Sequence, residues 1–261
     1  MQLANLYNQA DLYDAVRPLD DELATLIEDE LREVSAPGRL FDPACGPGRW
    51  LARFAAGGWR VAGNDLSPDM LRLTASCVSD CLELTQRDMR ALAFAHAPYD
   101  AGVEPSSVVA ELDDAAFFDH LTSARDQIRP GGAYLCVLPV DDDPTLEVPE
   151  VQYRREAPLE GGRRASCEYR VLERRPRETW RMRRAIRVEE ADGSESTLVD
   201  EYLLHMRPIE VVLAMAQRAG FEPAAIRCVD TGALLAPGRP FIGEALFVLR
   251  GPASASPNTT R

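Results

Sequence analysis

Residues 40–50 read LFDPACGPGRW: an apolar strand end runs into a loop of small residues, and the loop opens directly into a helix. Few arrangements constrain a chain more. Gly46 and Gly48 tolerate dihedrals that side chains resist, and with Ala44 they let the backbone come close to a ligand at the helix start. A dinucleotide-binding loop would place a third glycine at position 51, where this chain has Leu51. The loop therefore points to a nucleotide-like ligand and away from a dinucleotide.

The rest of the chain alternates short apolar runs with amphipathic stretches, which predicts an α/β fold with a parallel sheet. A helix is expected over 20–34, then strands at Arg39–Asp42, Trp59–Asn64 and Leu82–Thr85, with a weak fourth at Ala101–Val103. Helices are expected over Arg49–Ala56, from Ser67-Pro68 onward and near 112–128. Arg129-Pro130-Gly131-Gly132 reads as a turn into an apolar fifth strand, Ala133–Val140. Over 150–206 the pattern changes to two-residue alternation with an Asp192-Gly193 turn, which predicts an antiparallel insertion. A last helix, Pro208–Ala219, and closing strands at 221–229 and 242–249 follow. The organisation expected is a single domain over 1–250, comprising an N-terminal helical lid (1–37), a core (38–140), the insertion and the closing elements. Residues 251–261 are read as a disordered tail.

Two acids fall in register with the loop. Asp65 ends the strand WRVAGND, twenty-three residues after Asp42, and Asp88 stands twenty-three residues further on. In a doubly wound sheet an acid at the second strand tip accepts hydrogen bonds from ribose hydroxyls. With these residues in place, DPACGPG resembles the first motif of class I, Rossmann-like S-adenosylmethionine (SAM)-dependent methyltransferases. NDLSPDML and RDMR resemble its second and adenine-contact motifs, and RPGG the turn before its fifth strand.

The resemblance implies a seven-stranded, mostly parallel sheet flanked by helices, with the antiparallel insertion before the last helix. It implies SAM as cofactor and S-adenosylhomocysteine as product. Asp42, Ala44, Cys45, Gly46 and Gly48 would surround the methionine end, Asp65 would hold the ribose and Leu66 would pack on adenine. Asp88 and the Met89 backbone would read the adenine edge, and Val103 and Glu104 would receive the SAM amino group. The fourth strand departs from the family pattern at Gly102 and Pro105. The overall plan is similar to small-molecule methyltransferases, including N,N-dimethyltransferases of amino sugars, in which the insertion roofs the acceptor pocket and mediates dimer contacts.

Methyl transfer needs alignment more than acid–base chemistry, so the catalytic candidates are read from position. They are His205 at the end of the insertion, Glu104 after the fourth strand and Tyr13 in the lid beside Tyr7. Two have plainer structural readings: His205 as a pin for the helix start and Tyr13 as ordinary helix packing. Glu111 and the run Asp141-Asp142-Asp143 read as solvated loop acids, so no metal is expected, and His96 and His120 read as surface residues. The arginine-rich stretch 163–187 reads mainly as a solvated sheet face.

A formal charge of −13 argues against a nucleic-acid partner. No apolar run is long enough to cross a bilayer and no secretory signal is evident, so the expected setting is cytoplasmic, with a small-molecule acceptor, no membrane and a possible homodimer. The six scattered cysteines read as reduced thiols. The expected function is methyl transfer to N or O of a small molecule. The alternatives are a SAM-binding protein without methyl transfer and, on weaker grounds, an NAD(P)-dependent oxidoreductase.

Overall fold

The computed structural model describes residues 5–253. Its main sheet has seven strands: β1 (Arg39–Asp42), β2 (Arg60–Asn64), β3 (Glu83–Thr85), β4 (Tyr99–Glu104), β5 (Ile128–Asp141), β10 (Glu222–Cys228) and β11 (Ile242–Arg250). Their spatial order is β10-β11-β5-β4-β1-β2-β3. The first five strands run parallel, and β11 pairs antiparallel with β5 and with β10. From β1 the chain winds outward through β2 and β3, then returns to lay β4 and β5 on the other side. The order therefore reverses between β1 and β4, and such a reversal opens a crevice at the carboxyl ends of those strands.

Alternate residues of β5 face opposite cores over 133–140, which is why that stretch is apolar. Leu135 and Val137 pack with Leu23, Ile27 and Leu31 of α2 (Asp21–Val34) and with Leu51 and Phe54 of α3 (Arg49–Ala56). Tyr134, Cys136 and Leu138 pack with Phe117 and Leu121 of α5 (Asp114–Asp126) and Val212 of α6 (Ile209–Arg218). Leu51, at the position where a dinucleotide loop needs glycine, is fully buried in the first of these cores. Asp20 caps α2, Ser67 caps α4 (Pro68–Cys77) and Asp113 caps α5, each accepting backbone N–H groups of its first turn.

The fourth strand is longer than expected, Tyr99–Glu104 instead of Ala101–Val103, and Gly102 belongs to it. A Cβ at Gly102 would lie 2.5 Å from the Phe41 ring, so glycine here admits an aromatic side chain. The Arg-Pro-Gly-Gly segment is not a turn before β5 but part of it, an irregular stretch with Gly131 at φ +72°. Gly251, placed in the tail by sequence, is buried and its N–H donates to Gly132 O. Of the expected tail, 254–261 lie outside the described residues.

The insertion is a four-stranded antiparallel sheet of β6 (Val151–Pro158), β7 (Arg164–Arg175), β8 (Thr179–Glu189) and β9 (Glu195–His205). Its inner face buries Ala165, Cys167 and Ile186 against Leu6, Leu12 and Val16. The last two belong to α1 (Ala10–Val16), and Leu6 to the 3-10 turn Asn5–Asn8 before it. The N-terminal segment thus packs under the insertion, tied also by Tyr153 Oη donating to Val16 O at 2.7 Å.

Two expectations of solvated charge are corrected here. Asp141 and Asp142 are buried, Asp141 completely. Asp141 takes Arg174 Nε and Nη2 and Trp180 Nε1, each at 2.7 Å, and Asp142 pairs with Arg177. They join the end of the central sheet to the insertion. Most arginines of 163–187 do pair with acids at the surface, but Arg184 is buried, with 4% of its side chain exposed. No helix among the described residues is long and apolar enough to cross a membrane.

Candidate active site

Two cavities meet at the crevice. The first lies over the tips of β1, β2 and β3 and is lined on that side by Pro43, Ala44, Gly46, Asn64, Asp65, Leu66, Met70, Arg87, Asp88 and Met89. Asn64 assembles these tips. Its Nδ2 donates to Pro43 O at 2.8 Å and Arg87 O at 3.0 Å, and its Oδ1 accepts from Thr85 Oγ1 and Arg87 N. Asp65 then closes on the loop: Oδ2 accepts Gly46 N–H and Oδ1 accepts Ser67 N–H, both at 2.8 Å. Gly46 has φ +52° and nothing within 4 Å of where a Cβ would be, so any side chain there would project into open space. Gly48 serves packing, because a Cβ there would meet Thr74 at 2.8 Å.

At the third tip, Arg90 clamps Asp88, with Nη2 donating to Oδ2 at 2.6 Å, and holds its carboxyl below the usual range. His120 supports the next residue from behind. Its Nδ1 donates to Met89 O at 3.1 Å, and Nε2 therefore accepts from Tyr134 Oη at 2.7 Å. Expected at the surface, His120 is fully buried, and burial drives its pKa down to about 4. It is neutral at neutral pH, which suits both bonds.

The second cavity lies between the core and the inner face of the insertion. Tyr153, Tyr169, Trp180, Met182, Tyr202 and Leu204 form its aromatic and apolar walls, and Arg17, Arg184, Asp230 and Glu244 its charged points. The two cavities share Tyr7, Tyr13, Ser106, Val108 and Glu111. The N-terminal tyrosines Tyr7 and Tyr13 stand 5.8 Å apart between ring centroids. Arg184 lies over the rings of Tyr7 and Tyr202 at 4.9 and 4.8 Å, so its charge is held among π faces. Glu111, read from sequence as a solvated acid, accepts Tyr7 Oη at 3.0 Å instead.

The candidates read from sequence separate by position. Ala44, Gly46, Asp65, Leu66, Asp88, Met89 and Tyr13 line the first cavity. Asp42, Val103 and Glu104 are buried behind it. Asp42 Oδ1 accepts Ala44 N–H at 2.9 Å, and burial pushes its carboxyl up to about 8. Glu104 Oε1 accepts the N–H groups of Ser106 and Val108, while Oε2 is buried without a partner among the described residues. Glu104 therefore shapes the turn that carries Ser106 and does not line the cavity. Cys45 lines a neighbouring cleft beside Trp50 and Arg49.

His205 is placed elsewhere. It lines neither cavity and sits near Arg207, whose Nε pairs with Asp114 at 2.9 Å; burial and that guanidinium lower its pKa. Asn64, Ser106 and Tyr202 carried no role in the sequence reading, and Arg184 stood there only as part of a solvated sheet face. Only Asn64 left a signal, as a polar residue at a strand end just before the acid.

Residues 41–132 match the model of a family described as a methyltransferase domain. A search of curated proteins finds no match. Among solved structures, DesVI of Streptomyces venezuelae superposes with a TM-score of 0.73 at 23% identity, over 94% of this chain and 98% of that one. The sugar N-methyltransferase KedS8 of Streptoalloteichus gives 0.73 at 21% identity, over 97% and 95%. SAM-bound CalS10 of Micromonospora echinaspora, an amino pentose methyltransferase, gives 0.69 at 24% identity, over 96% and 98%. The fold of these proteins, insertion included, is the fold of this chain.

Proposed function

We propose that this chain, which carries a methyltransferase domain over residues 41–132, moves the methyl group of SAM to the nitrogen of a small amino-sugar-like acceptor. The observation that carries the reading is the shared wall. A cavity built by the nucleotide-type loop and the Asp65 and Asp88 tips opens, across Tyr7, Tyr13, Ser106, Val108 and Glu111, onto a separate aromatic cavity under the insertion.

The residues of the first cavity fit SAM. Asp65 offers a carboxylate to a ribose diol, Leu66, Met70 and Met89 offer apolar surface to a base, and Asp88 offers an acceptor to an exocyclic amino group. Gly46 leaves room for the amino-acid end. SAM supplies an electrophilic methyl carbon on a sulfonium, and displacement there must be in line. The chain's part is to align an acceptor through the opening and keep water away, for which the lid tyrosines and the roof of Tyr169, Trp180 and Tyr202 are suited. Nitrogen is favoured over oxygen because three acids (Glu111, Glu244, Asp230) line the cavity against two arginines (Arg17, Arg184), a balance of charge that favours an ammonium group. The sugar N-methyltransferases of the same fold agree with that choice.

Calorimetric titration of SAM and S-adenosylhomocysteine tests the cofactor site. Asp65→Asn removes the charge and one acceptor and should weaken SAM on the order of 10–100-fold, as expected for losing hydrogen bonds to a charged group. Release of S-adenosylhomocysteine with a panel of amino sugars tests the transfer. A folded protein that binds neither compound overturns the reading.

A further inference from the structure

We propose that Glu111 anchors the acceptor's amine and takes its proton at the opening between the two cavities. This rests on the reading above and assigns the acid–base step to one residue. Of the five residues shared by both cavities, Glu111 alone carries a carboxylate. Glu244 and Asp230 line the acceptor cavity but not the cofactor cavity, and Glu244 already accepts Ser107 Oγ at 3.0 Å. Glu104 is sealed behind the turn.

Glu111 is also held in place. Tyr7 Oη donates to its Oε1 at 3.0 Å, and Oε2 accepts no hydrogen bond among the described residues, which leaves an oxygen for a ligand N–H. Tyr7 Oη accepts in turn from Arg184 Nη1 at 3.4 Å. Three separate segments thus converge on this carboxylate: the lid through Tyr7, the turn after β4 through Glu111 itself, and the insertion through Arg184.

The groups that face it set its basicity. Burial and Asp200 of β9 raise its pKa, Arg184 and the Tyr7 hydrogen bond lower it, and the result lies above the ordinary carboxylate value. Tyr202 of β9 also faces it. A carboxylate moved toward neutrality is a better proton acceptor at physiological pH than a solvated one.

The step balances without another reactant. An acceptor arriving as R–NH₃⁺ gives one proton to the Glu111 carboxylate. The freed lone pair forms the N–C bond as the electron pair of the C–S bond returns to sulfur. The product leaves as R–NH₂⁺–CH₃, and Glu111 returns its proton to solvent.

The test uses the full chain labelled with ¹³C at glutamate side-chain carboxyls, saturated with S-adenosylhomocysteine. One resonance, absent in Glu111→Gln, should titrate above the ordinary glutamate value of about 4.3. Tyr7→Phe should move it higher still, by removing a hydrogen bond to the charged form. With any amino sugar that the protein methylates, Glu111→Gln should lower kcat/KM on the order of 10²-fold at pH 7. That deficit should shrink by pH 9.5, where the amine deprotonates unaided, while SAM affinity stays within about twofold. A Glu111 carboxyl that titrates at or below the ordinary value overturns the proposal, as does a pH-independent loss. Failure to bind S-adenosylhomocysteine instead sinks the proposed function, and the titration of the unliganded chain still decides the state of Glu111.

Discussion

Asp42 illustrates what burial does to a single group. Its sequence neighbours mark it as part of a ligand loop, yet it lies behind that loop at 1% exposure, and its carboxyl is pushed up to about 8. An acid whose pKa is higher in the fold than in the unfolded chain binds more protons when folded. Its contribution to stability is complete below about pH 4 and is lost as pH rises through about 8. Asparagine keeps the hydrogen bond from Ala44 N–H and has no charge to desolvate. Asp42→Asn should therefore gain stability relative to the parent by about 2–4 kcal/mol between pH 5 and pH 9, in urea midpoints at both values. Parallel pH profiles for the two proteins would contradict the assignment. His120 makes the same point in the other direction. A lone histidine on a helix gives no sequence sign that its two ring nitrogens will meet Met89 O and the Tyr134 hydroxyl in the core.

At the scale of elements, the local code was largely readable. Ser67, read as a helix start, does cap α4, whereas Asp20 and Asp113, placed inside their helices by sequence, stand one residue before them as caps. The two-residue alternation of 150–206 did become an antiparallel sheet. What failed were segments whose role depends on a neighbour. Gly102 looked like a weak point in a strand until Phe41 lay against it, and Asp141 looked like a loop acid until Arg174 and Trp180 reached it from the insertion. Removing Asp141 leaves the Trp180 N–H unpaired in the core and a guanidinium only 18% exposed without its carboxylate. Asp141→Ala should destabilise the fold by about 2–3 kcal/mol, the low end for a broken buried pair because Arg174 keeps bonds to Leu146 O and Asp143 O. A chemical-denaturation change under about 0.5 kcal/mol, the scale of ordinary surface substitutions, would show that the joint between β5 and the insertion is not a stabilising one.

For the whole molecule, the N-terminal segment, the core and the insertion enclose one continuous pair of cavities, so ligand binding should stabilise all three together. At S-adenosylhomocysteine one hundredfold above its Kd, linkage adds about 2.7 kcal/mol, which for a chain of this size raises Tm by about 5–10 °C. NAD⁺ at the same concentration should leave Tm unchanged, since Leu51 fills the contact between α3 and β2 where a dinucleotide loop needs glycine for close helix–strand packing. Equal shifts for both ligands would point back to a dinucleotide site. The amino-acid sequence by itself determined the parallel α/β core, the small-residue loop between β1 and α3, the Asp65 and Asp88 tips and the presence of the insertion. Those depend on periodicity, turn chemistry and spacing along one stretch of chain. Tertiary structure alone decided that Asp42 and Glu104 are buried, that His205 stands apart, and that Tyr7, Glu111 and Arg184 converge. Burial and charge pairing are set by which distant segments pack together, and no local pattern records that.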